Sequence, residues 1–376
     1  MRCRVALLAL LSLLLCLPLA AAPHRALGGD LEPREARAKL DKVRVSKAPY
    51  MRLYATFLEI GGLPLKPEKI TETKIYCNDT DIEEKVEVFA YQDLPDEQLD
   101  LAVVLHLSPR FPIEVQDKLK TSVADILGQV REGDRAAIFI DDGRGIISSS
   151  LGPAGDAAEK LGAVTPRTHS SFLVSAIDRA LQTLIVEGDK SHKRAILIIT
   201  DGLDSETITP ADLDSELDRL VTLARAAQNP VDEGYGNGII LNVVLFRPVR
   251  PEMSPSFEAV ARKTQGTFRA SNDLLELERD IKLAFGDLYG QLVFDFVMSV
   301  DEGDKCTFAI EVQRTTGANL RTPSSGKPVT FKKVGMTWFW IIFWLVVALI
   351  VLIILIMVIR HFLAKRRGRP RTRPSR

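Results

Sequence analysis

The side chains best suited to chemistry gather in three short segments. His106, Ser108 and Arg110 follow the apolar run Leu101–Leu105, Thr168, His169, Ser170 and Ser171 form a polar cluster, and Asp201 closes a second apolar run. Imidazole, hydroxyl and carboxylate together are the parts of a serine hydrolase, in which histidine takes the serine proton and aspartate orients the ring. The Gly-x-Ser-x-Gly elbow that presents such a nucleophile is absent from the sequence. A hydrolase using this Ser/His/Asp cluster is therefore the alternative reading, recognisable by fluorophosphonate labelling that Ser171→Ala abolishes. The same groups, brought to one rim, can instead line a binding cleft for another protein, and no enzyme activity is then expected.

Strands and helices in alternation must carry these residues. Leu101–Leu105, Ala136–Ile140 and Ala195–Ile199 are continuous apolar runs of the kind buried in parallel sheets, and Ile239–Phe246 reads as a further strand. Between them, Pro112 opens a helix with Val115, Leu119, Val123, Ile126 and Leu127 at helical spacing, and 171–186, 210–227, 256–264 and 273–288 read as further helices. This alternation over 99–290 predicts an α/β unit with a doubly wound, mostly parallel sheet and helices on both faces. Asp141-Asp142-Gly143 reads as a turn, Ile146–Leu151 as its returning strand, and His192 as an exposed residue before a strand. Residues 49–98 and 291–333 show strand patterning without helices, as two β-rich flanks, and 23–48 reads as a polar linker. Asn78-Asp79-Thr80 fits the glycosylation pattern, which matters only in a host that glycosylates there.

The ends set the compartment. Residues 1–22 read as a signal peptide: Arg2 and Arg4, an apolar run from Val5 to Leu17, then Ala20, Ala21 and Ala22. Trp338–Ile359 holds 22 residues and no charge, about 33 Å as a helix, and reads as a transmembrane helix. Residues 360–376 carry eight Lys or Arg and no acid, which keeps that tail in the cytoplasm and the bulk of the chain outside. Formal net charge is zero, but without leader and tail it is about −10, which gives no electrostatic footprint for nucleic acid. The tail can contact anionic lipids. The Arg-, Ala- and Leu-rich composition points to a bacterial inner membrane with the domain in the periplasm, a eukaryotic surface protein being the alternative. The mature chain keeps Cys77 and Cys306, and in an oxidising compartment a bridge between them is expected, which would pack the two β flanks together.

Several segments resemble the von Willebrand factor type A (VWA) family. Leu101–Arg110 and Ala195–Gly202, the latter ending in Thr-Asp-Gly, look like that family's first and fourth strands. Ser171–Ile177 is similar to its Thr-x-Leu-x-x-Ala-Leu helix start, and Gly266–Ala270 with the acidic helix after it is similar to the late strand and last helix. The resemblance implies a cleft at the strand ends that binds a protein partner, there through Mg²⁺ held by Asp-x-Ser-x-Ser, a Thr and an Asp. Mapped onto this chain, the cleft comprises His106, Ser108, Arg110, Thr168, Ser171 and Asp201. His106 replaces the first Asp and Arg110 the second Ser; Ser171 takes the Thr position, with Thr168 close by. Imidazole and guanidinium in place of oxygen ligands remove most of the attraction for a hard cation. The expectation is no metal and no cofactor, with Arg110 or protonated His106 paired to Asp201, or else Arg110 in solvent and the cleft idle. The implied function is a membrane-anchored, metal-independent module that binds an unidentified protein, in adhesion or as a subunit of an envelope complex.

Overall fold

The linker reading of 23–48 fails at its C-terminal half, because Arg37–Lys47 form a strand, β1. Leu40 and Val43 both point inward, a spacing that hides period-two alternation. A register shift between Leu40 and Lys42 resets the phase of the strand and explains it. The structure, a computed structural model, describes residues 36–47, 50–59, 63–82, 84–108, 110–142, 145–162, 164, 172–202, 209–227, 238–247, 251–298, 304–325, 328–330 and 338–367.

After β1 come β2 (Tyr50–Leu58), β3 (Ile70–Cys77), β4 (Thr80–Ile82) and β5 (Glu87–Ala90). The chain then enters the α/β unit with β6 (Leu99–His106), α1 (Ile113–Leu127), β7 (Arg135–Asp141) and β8 (Ile146–Ser148). It continues through α2 (Ala154–Gly162), α3 (Leu173–Val186), β9 (Lys193–Thr200), α4 (Pro210–Ala226) and β10 (Ile240–Phe246). The unit closes with α5 (Ser254–Lys263), β11 (Phe268–Ser271) and α6 (Leu274–Tyr289). Its sheet runs β11-β10-β9-β6-β7-β8, parallel except for β8, which returns antiparallel to β7. Strand order therefore reverses between β6 and β9, and in such sheets the crevice at that reversal is where ligands dock.

Both faces of the sheet are covered, as the continuous apolar runs require. Val103, Leu105, Leu197 and Ile199 pack with α1, α2 and α6 on one side. Ala102, Val104, Ile196 and Ile198 pack with α3, α4 and α5 on the other. Helix α2 has no counterpart in the sequence reading, since Pro153 and Gly155 mask its start and only Ala157 and Leu161 are buried.

Gly290 alone separates α6 from β12 (Gln291–Val297), which is followed by β13 (Lys305–Cys306), β14 (Phe308–Arg314), β15 (Leu320–Arg321) and β16 (Val329–Thr330). Strand β12 inserts between β2 and β5, giving a sheet β1-β2-β12-β5, and β14 pairs with β3 in a second sheet β15-β14-β3-β4. Their inner faces share one apolar core containing Leu53, Phe57, Phe294, Ile75, Phe308 and Ile310. Phe296 meets Phe308 across it, edge to face at 6.1–6.3 Å spacing like the Phe57–Phe294 pair.

Cys77 and Cys306 are joined by a disulfide with their Cα atoms 5.3 Å apart, 229 residues distant in sequence. Asn78, exposed and at φ 49°, spends its amide on this junction. Its Nδ2 donates to Lys305 O at 2.8 Å and its Oδ1 accepts from Thr307 N at 2.9 Å. The Cys77→Ser/Cys306→Ser double variant is expected to lose about 2–4 kcal/mol of stability, read from urea unfolding of the oxidised wild type and the variant.

Where the first flanking sheet meets the strand starts of the α/β unit, the contacts are polar and charged. Glu97, 3% exposed, accepts from Arg44 (2.9 Å), Arg52 (2.7 Å) and the Tyr54 hydroxyl (2.6 Å). Asp100, fully buried, accepts two hydrogen bonds from Arg135 and one from Asp189 N. His192 departs from the sequence reading: its side chain is 15% exposed, with Nδ1 3.0 Å from Asp100 Oδ1. Burial had no signal in the sequence, because the buried partner lies 92 residues away.

Lys193 opens β9 in the same region, donating to Leu288 O at 2.5 Å with its ammonium 5.0 Å from the Tyr91 ring centroid. Burial pulls this ammonium down to about 7, against the attraction of Asp41. A lysine held below its unfolded value of 10.5 penalises the fold wherever both states are protonated, and the penalty is relieved as pH rises between those two values. Unfolding free energy is therefore expected to rise by roughly 3 kcal/mol from pH 7 to pH 10. Urea titrations at both pH values check this, with Lys193→Met showing no such rise.

The last helix, α7, spans Trp338–Arg367. Among the described side chains no helix is long and apolar enough to cross a membrane. Those described in α7 extend only from Trp344 to Val358; they are uncharged and mostly exposed, Leu345 at 65% and Met357 at 63%.

Candidate functional site

Three adjacent strands of the α/β sheet end at the same level in polar residues. Register pairs Leu105 with Ile140 on one side and with Ile199 on the other, so His106 lies beside Asp141 of β7 and level with Thr200 of β9. Asp201 follows immediately. All four are buried: His106 2%, Thr200 1%, Asp141 and Asp201 0% exposed. The apolar runs beneath fix their height at the reversal of strand order between β6 and β9, the place where ligands dock in such sheets.

His106 Nδ1 is 3.1 Å from Asp201 Oδ1 and 3.1 Å from Thr200 Oγ1, and Nε2 is 3.8 Å from Asp141 Oδ2. An N–H at Nδ1 would donate to the Asp201 carboxylate, which when ionised only accepts. The Nε2–Asp141 separation is too long for a hydrogen bond and acts through charge alone. Asp141 Oδ2 instead accepts from Phe172 N at 2.6 Å, tying the end of β7 to the start of α3. Gly202 completes the turn at φ +81°, and a Cβ there would stand 3.0 Å from Leu245 Cδ1, so Thr-Asp-Gly needs its glycine for conformation and space.

Of the two cations considered for Asp201, His106 has its Nδ1 3.1 Å from Oδ1. Arg110 is an exposed residue, and its backbone N–H donates to Ser108 Oγ at 3.4 Å. Ser108 itself is fully buried, and its carbonyl accepts from Gln116 Nε2 at 3.3 Å. Thr168, His169, Ser170 and Ser171 lie outside the described residues. Asp141, read from sequence as part of a turn, is the residue that reading missed. The available signal was its place directly after a buried strand, level with His106. The Asp141-Asp142-Gly143 turn thus begins one residue later than the sequence suggested, because β7 runs through Asp141.

Among the described residues the donor set does not suit Mg²⁺. That ion requires oxygens in near-octahedral geometry, and here the first position presents an imidazole whose Nδ1 already faces Asp201.

The architecture is a mixed α/β unit whose sheet switches strand order at a buried His–Asp pair, carried between β-sheet flanks. No family model matches the chain. One stretch of 85 residues is 34% identical to the arginine biosynthesis bifunctional protein ArgJ, mitochondrial, of Coprinopsis cinerea. It covers 19% of this chain and only 18% of that protein, too little to carry its activity across. Among solved structures, the chain is similar to a conserved hypothetical protein BatB from Bacteroides thetaiotaomicron (13% identity, TM-score 0.33, 50% of this chain and 98% of that one). It is also similar to an aerotolerance-related membrane protein from Bacteroides fragilis (14%, 0.35, 50% and 98%). A third is the vWF domain of the type V pili tip protein Mfa5 from Porphyromonas gingivalis (11%, 0.39, 52% and 96%). Likenesses of this size carry no argument about what the chain does.

Proposed function

We propose that the chain is a membrane-anchored, extracytoplasmic VWA-like module that binds a protein partner at its strand-end face without a divalent cation. The observation that carries the reading is the contact between His106 Nδ1 and Asp201 Oδ1 at the strand-order reversal. It fills with an imidazole the position where the family's cation ligand would stand. Strand order supports the family reading: the segments that resemble the family's first and fourth strands are the first and fourth strands of this sheet, adjacent at its centre. Ser108, Arg110, Thr168 and Ser171 complete the proposed cleft. Anchoring rests on the leader at 1–22, the uncharged segment 338–359 within α7 and the basic tail at 360–376, with a bacterial inner membrane and a periplasmic domain as the proposed setting. Adhesion, or membership of an envelope complex, is the role such a module would serve.

Photo-crosslinking in native membranes tests this. Ile113, 74% exposed at the start of α1, lies on the proposed face, and Val186, 78% exposed at the end of α3, lies at the opposite end of the unit. A benzophenone side chain at 113 is expected to capture a protein equally with and without EDTA, and one at 186 is not. Loss of the adduct in EDTA, or equal capture from both positions, contradicts the reading. A cysteine replacing Ser375 should react with impermeant maleimide only after the membrane is opened.

A further inference from the structure

The outer face of the sheet β1-β2-β12-β5 is covered only in part. Tyr54, Val293 and Phe89 pack there against Tyr91 and Tyr289, under the α/β unit. Two residues further along each strand, register sets Arg44, Arg52, Asp295 and Glu87 side by side across the sheet. Beyond them Tyr50 pairs with Val297 at the strand ends, 61% and 41% exposed. Residues two apart on a strand share a face, so these side chains line one open groove of about 600 Å³. Its charge is unbalanced. Arg52 donates to Asp295 through two hydrogen bonds of 2.7 Å and also to Asp96, and Arg44 and Arg52 share Glu97. With Glu84, Glu87 and Lys85 completing the charged wall, five carboxylates stand against three cations.

The chain leaves the sandwich at this same end. Phe296, next to Val297, meets Phe308, and just before Phe308 the residues Lys305 and Cys306 pair with Thr330 and Val329. Strand β13 leads into β14 and away from the tip, so the antiparallel β16 delivers Thr330 to it. Residues 331–337, Phe-Lys-Lys-Val-Gly-Met-Thr, then join Thr330 to α7. Seven residues reach about 25 Å, so a tether that starts beside the groove is long enough to turn into it. Extended, it would set Lys332, Val334 and Met336 on one side. That is a basic and an apolar end for a groove acidic at Glu84 and Glu87 and apolar at Tyr50 and Val297.

We propose that segment 331–337 docks in this groove, its lysines against the surplus carboxylates and its apolar side chains over Tyr50 and Val297. The docked segment would hold the start of α7 against the sandwich. Together with the anchoring proposed above, on which this consequence but not the docking rests, it sets the height of the α/β unit over the bilayer.

Cysteine pairs introduced into the full chain in detergent test the placement. Under mild oxidant Val297→Cys/Val334→Cys is expected to form an intramolecular disulfide in most molecules, identified by peptide mapping with Cys77–Cys306 still intact. Asp81→Cys/Val334→Cys is the comparison: Asp81 is exposed near the same tip, opposite Tyr76 on the outer face of the other sheet. Its crosslink should be at least about fivefold slower, because a docked segment has a low effective concentration there. Adding Lys332→Glu/Lys333→Glu should slow the Val297 crosslink at least about threefold, and further adding Glu84→Lys/Glu87→Lys should restore it. Equal rates for the two pairs, or a rate indifferent to the charge reversals, overturns the proposal. Either result leaves the anchoring reading intact, because maleimide reaction at position 375 tests that separately.

Discussion

Replacing His106 with leucine is expected to destabilise the α/β unit by about 3–5 kcal/mol, far more than a neutral hydrogen bond is worth. Leucine roughly conserves volume, so cavity formation contributes little and the loss is electrostatic. Asp201 and Asp141 are both fully buried, and His106 is the imidazole that stands 3.1 Å from one and 3.8 Å from the other. Removing it takes the ring nitrogen from beside Asp201 and leaves two fully buried carboxylates without the imidazole between them. A single hydrogen bond to a charged group accounts for about 1.5–3 kcal/mol, and the poorer compensation of two buried carboxylates supplies the rest. Chemical unfolding of wild type and variant checks the figure. A double-mutant cycle with Asp201→Asn should show coupling above about 1 kcal/mol, because the two side chains touch. A cost under about 1 kcal/mol would mean that the carboxylates do not depend on the ring.

Asp100→Ala should be of similar size, about 3–5 kcal/mol, at the opposite end of the same strand. The Asp100 carboxylate accepts from Arg135 at 2.9 and 2.6 Å and from Asp189 N at 2.7 Å, and stands 3.0 Å from His192 Nδ1. One carboxylate thus collects four contacts from three residues in two segments, and it is 0% exposed. Alanine leaves a guanidinium, an imidazole and an amide without their acceptor. Asp100→Asn, which keeps the shape but turns an amide N–H toward Arg135, should fall between alanine and wild type. Asp218→Ala sets the scale for a surface pair: Lys263 meets Asp218 at 2.5 Å, but that carboxylate is 62% exposed, and its removal is expected to change stability by less than about 1 kcal/mol. Urea midpoints for the three variants, at unchanged m-value, order these effects.

The parts of this fold that sequence reading finds are those whose burial is uniform. Leu101–Leu105 and Ala195–Ile199 are apolar on both faces, so no phase error can misplace them, and the residues that end them, His106 and Asp201, are legible as a site. β1 is hidden because its bulge lets Leu40 and Val43 mimic another periodicity. Asp141 is obscured by the glycine two residues on, which makes the end of a buried strand resemble an ordinary turn. His192 and Asp100 show the limit most clearly, since a polar residue is buried here by a partner from a distant segment and carries no local mark of it. Cys77 and Cys306, expected to pair on the reading that residues 1–22 are removed in an oxidising compartment, are joined although 229 residues apart.

On the proposed reading, His106 takes the cation's place beside Asp201. Calorimetric titration of the purified protein with Mg²⁺ tests it most directly. No saturable heat is expected at millimolar ion, whereas His106→Asp/Arg110→Ser, which restores oxygen ligands, should acquire one. Micromolar binding by the unaltered protein that Asp201→Ala abolishes would contradict the claim.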